Sequence, residues 1–137
     1  MTEIKRPLPN PKEHDTRAFW QATKDRKLTY QKCDDCGTVV FYPRAHCTGC
    51  VGGKLSWHTA SGRGTVYTFS VVRKAEHPFF RSLVPYAVAW IDLDEGPRIL
   101  SNVVGVKDPG KDLKVGQRVV VEWEPHDDLA LPLFKPA

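Results

Sequence analysis

A chain of 137 residues with 41% hydrophobic content has room for one ordinary domain, or for a very small one beside a medium one. No apolar run approaches the roughly 20 residues that span a bilayer, and Met1-Thr2-Glu3-Ile4-Lys5-Arg6 lacks the apolar segment of a secretory signal, so the protein is expected in the cytoplasm. The formal charge of +4 counts four cysteines as neutral; as thiolates on one divalent ion they would halve it. The basic residues are dispersed, which argues against a nucleic-acid footprint read from charge alone.

In chain order, Pro7, Pro9 and Pro11 alternate through residues 1–12 and exclude a helix there, leaving an extended arm that is either disordered or laid along a partner. Asp15 or Thr16 can cap a helix running from Thr16 to Leu28. Phe19 and Trp20 on that helix either staple it to the neighbouring unit or form an aromatic pair for a protein partner.

The next stretch holds every cysteine of the chain, as Cys33-Asp34-Asp35-Cys36 and Cys47-Thr48-Gly49-Cys50 with ten residues between the pairs. That is the spacing of a zinc ribbon. Each C-x-x-C turn aims two thiolates at one ion, and zinc takes four sulfurs tetrahedrally at about 2.3 Å. The β-branched and aromatic run Thr38-Val39-Val40-Phe41-Tyr42, stopped by Pro43, supplies a short hairpin between the knuckles. Two disulfides are the alternative, disfavoured in a reducing compartment. Four thiolates leave no open coordination position, so the metal is structural. His46 adjoins Cys47, but neighbouring residues rarely ligate one ion together.

After the flexible turn Val51-Gly52-Gly53-Lys54 the pattern changes to strands. Five are expected: Leu55–Ala60, Thr65–Arg73 with Tyr67, Phe69 and Val71 on one face, Pro85–Leu93, Pro97–Val104 across the Asp94-Glu95-Gly96 turn, and Gln117–Glu124. Short strands without βαβ spacing suggest a small closed barrel, OB-like by preference and an open sandwich otherwise. The fold class is therefore mainly β, divided as an arm and helix over 1–30, a rubredoxin-like zinc ribbon over 31–53 and a five-stranded OB-fold barrel over 54–137.

The connection from Lys74 to Val84 is long for a hairpin, and long connections in small barrels carry function. Phe79 and Phe80 sit there among Arg73, Lys74, His77 and Arg81. An apolar loop rimmed by cations suits an amphiphilic anion such as an acyl chain on a phosphorylated handle; plugging an open barrel end explains the phenylalanines equally well. No nucleophile–base motif, no H-E-x-x-H and no phosphate-binding glycine loop occurs, so an independent active site is not expected.

The helix with Phe19-Trp20, the ribbon with Phe41-Tyr42-Pro43-Arg44, Ser61-Gly62-Arg63-Gly64-Thr65-Val66, Pro85-Tyr86-Ala87-Val88-Ala89, Leu93-Asp94-Glu95-Gly96 and Ser101-Asn102-Val103-Val104-Gly105 together resemble the DUF35 family over roughly residues 14–126. The resemblance implies a zinc ribbon on an OB barrel, acting as the small subunit of a heteromeric thiolase, of an acetoacetyl-CoA thiolase/HMG-CoA synthase assembly, or of a retro-aldolase that shortens steroid or aromatic acyl-CoA side chains. In such complexes the thiolase-like subunit carries the catalytic residues and the small subunit helps form the channel for coenzyme A or the acyl group. It implies zinc on Cys33, Cys36, Cys47 and Cys50, and CoA or acyl-CoA as a shared ligand facing Phe79, Phe80, Pro85 and Tyr86. A symmetric heterotetramer around a partner dimer is the expected assembly. The competing readings are a single-stranded nucleic-acid binder stacking bases on Tyr67, Phe69 and Trp90, and a redox protein with iron in the thiolate cage.

Overall fold

The computed structural model describes residues 4–137; the first three residues of the expected arm lie outside the described residues. From Ile4 the arm runs without regular structure to the turns before helix α1, Arg17–Lys24. This helix is shorter than the span to Leu28 expected from sequence. Thr16 holds the N-cap position without a side-chain cap, and the helix closes when Arg26 enters the left-handed region at φ 60. Eight residues cannot sustain a helix alone, so tertiary contacts hold it. Phe19 and Thr23, four apart on one face, are buried, and Thr23 Oγ1 accepts the Ala130 N–H at 3.0 Å.

Three strands form the ribbon sheet, in the order β2-β1-β3. Strand β1, Thr29–Cys33, pairs with β2, Val39–Val40, through Gln31↔Val40 and Lys32↔Val39. It pairs on its other side with β3, Leu55–Thr59, from Thr29↔Thr59 to Cys33↔Leu55. Two expectations are corrected here. The hairpin does not lie between the knuckles: the first knuckle is itself its turn, joining β1 to β2. The strand Leu55–Thr59, expected in the barrel, belongs to the ribbon sheet.

The barrel consists of β4 (Arg63–Val72), β5 (Tyr86–Leu93), β6 (Arg98–Val103), β7 (Arg118–Pro125) and β8 (Ala130–Pro136). It is closed in the order β4-β5-β6-β8-β7, the Greek-key arrangement of an OB barrel. The fifth strand is thus β8, with the fully buried Phe134 at its centre. It pairs with β7 along its length but meets β6 only at the parallel pair Val103↔Phe134. Proline cannot donate to a ladder, and such sparse bonding accommodates Pro132 and Pro136. A register shift between Val66 and Thr68 changes the face alternation within β4. Val66 points inward, Tyr67 is 51% exposed, and Phe69 turns back against the core. Tyr67 and Phe69 therefore do not share a face.

The two turn motifs of the sequence meet in space. Ser61 N–H donates to Glu95 Oε2 at 2.9 Å, Asp94 N–H donates to Arg63 O at 3.0 Å, and the Arg118 guanidinium donates to both Asp94 carboxylate oxygens at 2.6 and 2.7 Å. The β5–β6 turn thereby fastens the entry of β4 to the start of β7. Two very short helices, α2 (Pro78–Arg81) and α3 (Pro109–Asp112), lie in the β4–β5 and β6–β7 connections. No helix among the described residues is long and apolar enough to cross a membrane.

Candidate metal centre and the β4–β5 loop

Cys33 ends β1, and Gly37 N–H donates back to Cys33 O at 2.9 Å, closing the turn that holds Cys36 beside Cys33; Gly37 then leads the chain on to β2 at φ 76, which only a residue without a Cβ adopts readily. The second knuckle is held by Val51 N–H donating to Cys47 O at 3.1 Å and Cys47 N–H to Gly52 O at 2.8 Å. All four Sγ atoms lie within 4.8 Å of one another. Cys33 and Cys50 sulfurs are 3.7 Å apart, and those of Cys36 and Cys47 are 3.5 Å apart. Zinc–sulfur bonds of about 2.3 Å set tetrahedral edges of about 3.8 Å, so the cage fits a zinc ion and no pair is at disulfide distance.

The surroundings favour thiolates but not four of them without a cation. Thr38 hydroxyl and backbone hydrogen bonds hold the Cys36 thiol down to about 6, and the Cys50 N–H lowers Cys47. At Cys50 the Gly52 N–H acts in the same direction, but the sulfurs of Cys36 and Cys33 outweigh it and push the thiol up to about 12. A divalent ion supplies the missing compensation. Outer contacts set the cage: Thr38 Oγ1 is 3.0 Å from Cys36 Sγ, and Gly49 N–H donates to Cys47 Sγ at 3.2 Å. A Cβ on Gly49 would lie 2.6 Å from Thr38 Oγ1, so glycine lets the knuckles close. His46 is exposed and outside the cluster.

Buried Gln31 ties the second knuckle to β1, accepting Arg44 N–H at 2.8 Å and donating to Arg44 O at 3.1 Å. Tyr42 ties the ribbon to the barrel, its hydroxyl accepting Leu100 N–H at 2.9 Å. Neither role has a local sequence signal, because both partners are distant in the chain. Phe19 is buried, with Trp20 and Phe41 at ring distances of 4.9 and 6.0 Å. It takes the stapling role and is not an exposed partner contact; Trp20 remains half-buried on the rim of a groove with Tyr42 and Pro43.

In the β4–β5 loop, His77 caps α2, its Nδ1 accepting Phe79 N–H at 3.1 Å. Phe79, Phe80 and Tyr86 come together half-buried, at ring distances of 5.3 and 5.9 Å, and Pro85 lines the same groove as Phe80 and Tyr86. The cations do not all converge. Arg81 turns back onto the Ala75 and Glu76 carbonyls, and Arg73 lies against Gly110. Lys74 and His77 stay exposed. Arg6 of the N-terminal arm is the cation that reaches the rings: it stands 4.7 Å from the Phe79 centroid and 5.6 Å from that of Phe80. No local motif announces a contact made across most of the chain.

Two other clusters resolve differently. Ser56 Oγ donates to Asp34 Oδ1 at 2.7 Å and lies 3.2 Å from His58 Nε2. The serine separates histidine from carboxylate, so this is not the relay of a hydrolytic triad. On the outer barrel face the Arg98 guanidinium lies 3.6 Å from the Tyr67 centroid and is paired with Asp92; one face of the ring is taken by that cation, whose charge the carboxylate offsets. With Phe69 facing the core, Tyr67, Phe69 and Trp90 do not make one stacking platform.

Comparison with known proteins agrees with this architecture. Residues 20–56 match the rubredoxin-like zinc ribbon domain of ChsH2, and residues 57–124 match the ChsH2 C-terminal OB-fold domain. A probable enoyl-CoA hydratase alpha subunit of Thermomonospora curvata is 39% identical over 94% of this chain, which spans only 40% of that protein's length. A DUF35 domain-containing scaffold protein of Methanocaldococcus jannaschii is 38% identical over 73% of this chain and 70% of its own. The benzoylsuccinyl-CoA thiolase subunit BbsA of Geobacter metallireducens is 30% identical over 77% of this chain and 75% of its own. Among solved structures, a chain of the Ltp2-ChsH2(DUF35) aldolase superposes with a TM-score of 0.80 at 36% identity, covering 96% of this chain and 98% of that one. With the four-thiolate ribbon, the closed five-stranded barrel and these matches together, the chain belongs to the DUF35 family of ChsH2-type zinc-ribbon and OB-fold proteins.

Proposed function

We propose that this chain is a non-catalytic accessory subunit that docks on a thiolase-fold enzyme and helps form its site for CoA and acyl-CoA. The complex cleaves or forms carbon–carbon bonds in fatty, steroid or aromatic acyl-CoA substrates. The observation that carries this reading is the near end-to-end likeness to a chain of the Ltp2-ChsH2(DUF35) aldolase. The β4–β5 loop supports it: Phe79, Phe80, Pro85 and Tyr86 offer apolar surface to an acyl or pantetheine chain, and His77, 5.8 Å from the Phe80 ring centre, and the exposed Lys74 of the same loop are available to a phosphorylated handle. Zinc, when bound, supplies rigidity rather than reactivity, since four thiolates fill its coordination sphere. The chain's own contribution is then positional: the ribbon and β5–β6 turn fix the barrel, and the loop shapes the channel wall. Reaction type and acyl preference belong to the partner.

Co-expression with a thiolase-fold candidate tests the proposal. The expected product is a stable hetero-oligomer, a heterotetramer by symmetry, whose activity on acyl-CoA needs both subunits. Full turnover by the partner alone refutes it, as does salt-sensitive capture of single-stranded nucleic acid in place of any thiolase-like protein.

A further inference from the structure

We propose that the arm from Ile4 to Pro11 is a displaceable strap, latched by Arg6, that occupies the Phe79–Phe80 face until an acyl-CoA replaces it. The inference rests on the acyl-facing role of those rings. Arg6 Nε lies 2.7 Å from Glu124 Oε1, and its terminal nitrogen donates to Oε2 at 3.2 Å. Glu124 is shared with His126 Nε2 at 2.8 Å. The Arg6 side chain is only 11% exposed, although most of the arm around it lies open: Ile4 and Leu8 are 58% and 44% exposed. Among the described residues no backbone hydrogen bond ties residues 4–10 to the barrel. The latch is therefore one guanidinium, closed over two aromatic faces.

Three observations make the contact a replaceable one. Pro7, Pro9 and Pro11 preset an extended chain, so the arm gives up little conformational freedom on docking and regains little on release. A guanidinium on phenyl rings occupies the surface that an acyl chain would cover, and a phosphate-bearing ligand would compete for the same cation. Arg6 also walls three separate grooves, of about 560, 180 and 230 Å³. In the first of these the arm itself forms one wall, through Ile4, Leu8, Pro9 and Pro11, so its departure opens that groove along Phe79 and, with Arg6 gone, uncovers Phe80 and Tyr86 in the second.

The test uses the zinc-loaded full chain and hexanoyl-CoA. Ring currents from Phe79 and Phe80 should place the Arg6 side-chain protons upfield in the free protein, and hexanoyl-CoA should return them to random-coil positions. Glu124→Gln should do so without ligand and bind hexanoyl-CoA about 3- to 10-fold more tightly, because more of the population is competent. Arg6 signals that stay upfield at saturation, or equal affinities for the wild type, Glu124→Gln and Arg6→Ala, overturn the strap and leave the accessory role standing. Absence of binding in all three, with Arg6 still freed by Glu124→Gln, overturns the acyl-facing loop and the strap with it.

Discussion

Gly49→Ala is expected to weaken zinc binding without touching a ligand. An added Cβ would lie 2.6 Å from Thr38 Oγ1, closer than nonbonded atoms approach. Rotating the threonine relieves the clash, but it removes the hydroxyl from its 3.0 Å contact with Cys36 Sγ. Loss of one such outer contact weakens metal affinity by about 10- to 100-fold. Thr38→Ala removes the same hydroxyl directly and should cost about as much. The double variant should then be no worse than either single one, since the second change has nothing left to break. Competition for zinc against a chromophoric chelator at fixed pH measures all four proteins, with circular dichroism confirming that each barrel is folded. Gly49→Ala within twofold of the wild type refutes the close-approach argument. Multiplied losses in the double variant refute the shared-contact argument.

Chelation should loosen the ribbon and spare the barrel: the ribbon's own buried cluster is only Cys33, Val40 and Cys47 with Leu55 packed on it. Hydrogen exchange should show lost protection at Val40 and Cys47 and retained protection at Ala89 and Ile91; loss at all four would mean one cooperative unit. Phe134→Ala removes the fully buried ring of β8 and should destabilise by about 3–5 kcal/mol, lowering Tm by roughly 10–15 °C. A fall under about 3 °C would deny β8 its closing role. The Arg118 hydrogen bond, with the charges of Arg118 and Arg63, holds the Asp94 carboxyl below its ordinary value. Its stabilising effect is complete above the unfolded value near pH 4 and is lost as pH falls through the lower folded value. The Tm gap between wild type and Asp94→Asn should be flat at pH 5–7 and close below pH 4; a gap that widens in acid contradicts the pairing.

The metal cage was legible because its signal is local: residue type and spacing alone bring four sulfurs together. The barrel class was legible from strand count, but its membership was not. Leu55–Thr59 reads as a short strand through Trp57 and Thr59, and nothing within it says that Thr29–Cys33 rather than a barrel strand is its neighbour. The partner itself was hidden by buried Gln31, a polar residue whose amide is used up on Arg44. Pro132 and Pro136 masked β8, since a proline-bearing stretch reads as coil until its sparse ladder is seen. The bulge at Tyr67 altered which aromatic faces water. Arg6 escaped notice for the same reason as Tyr42: its partners are set by the closed fold, not by its neighbours.

The ribbon sheet uses only residues between Thr29 and Thr59, whereas barrel closure and the seat of α1 both wait for β8, at Ala130–Pro136. At 5–20 residues per second, roughly 4–15 s of translation separates the two events. Zinc can therefore be captured by a nascent chain whose barrel does not yet exist. During that interval Phe19 has no closed barrel to pack against, and a ribbon already closed on its metal would be the first ordered surface that the later strands meet.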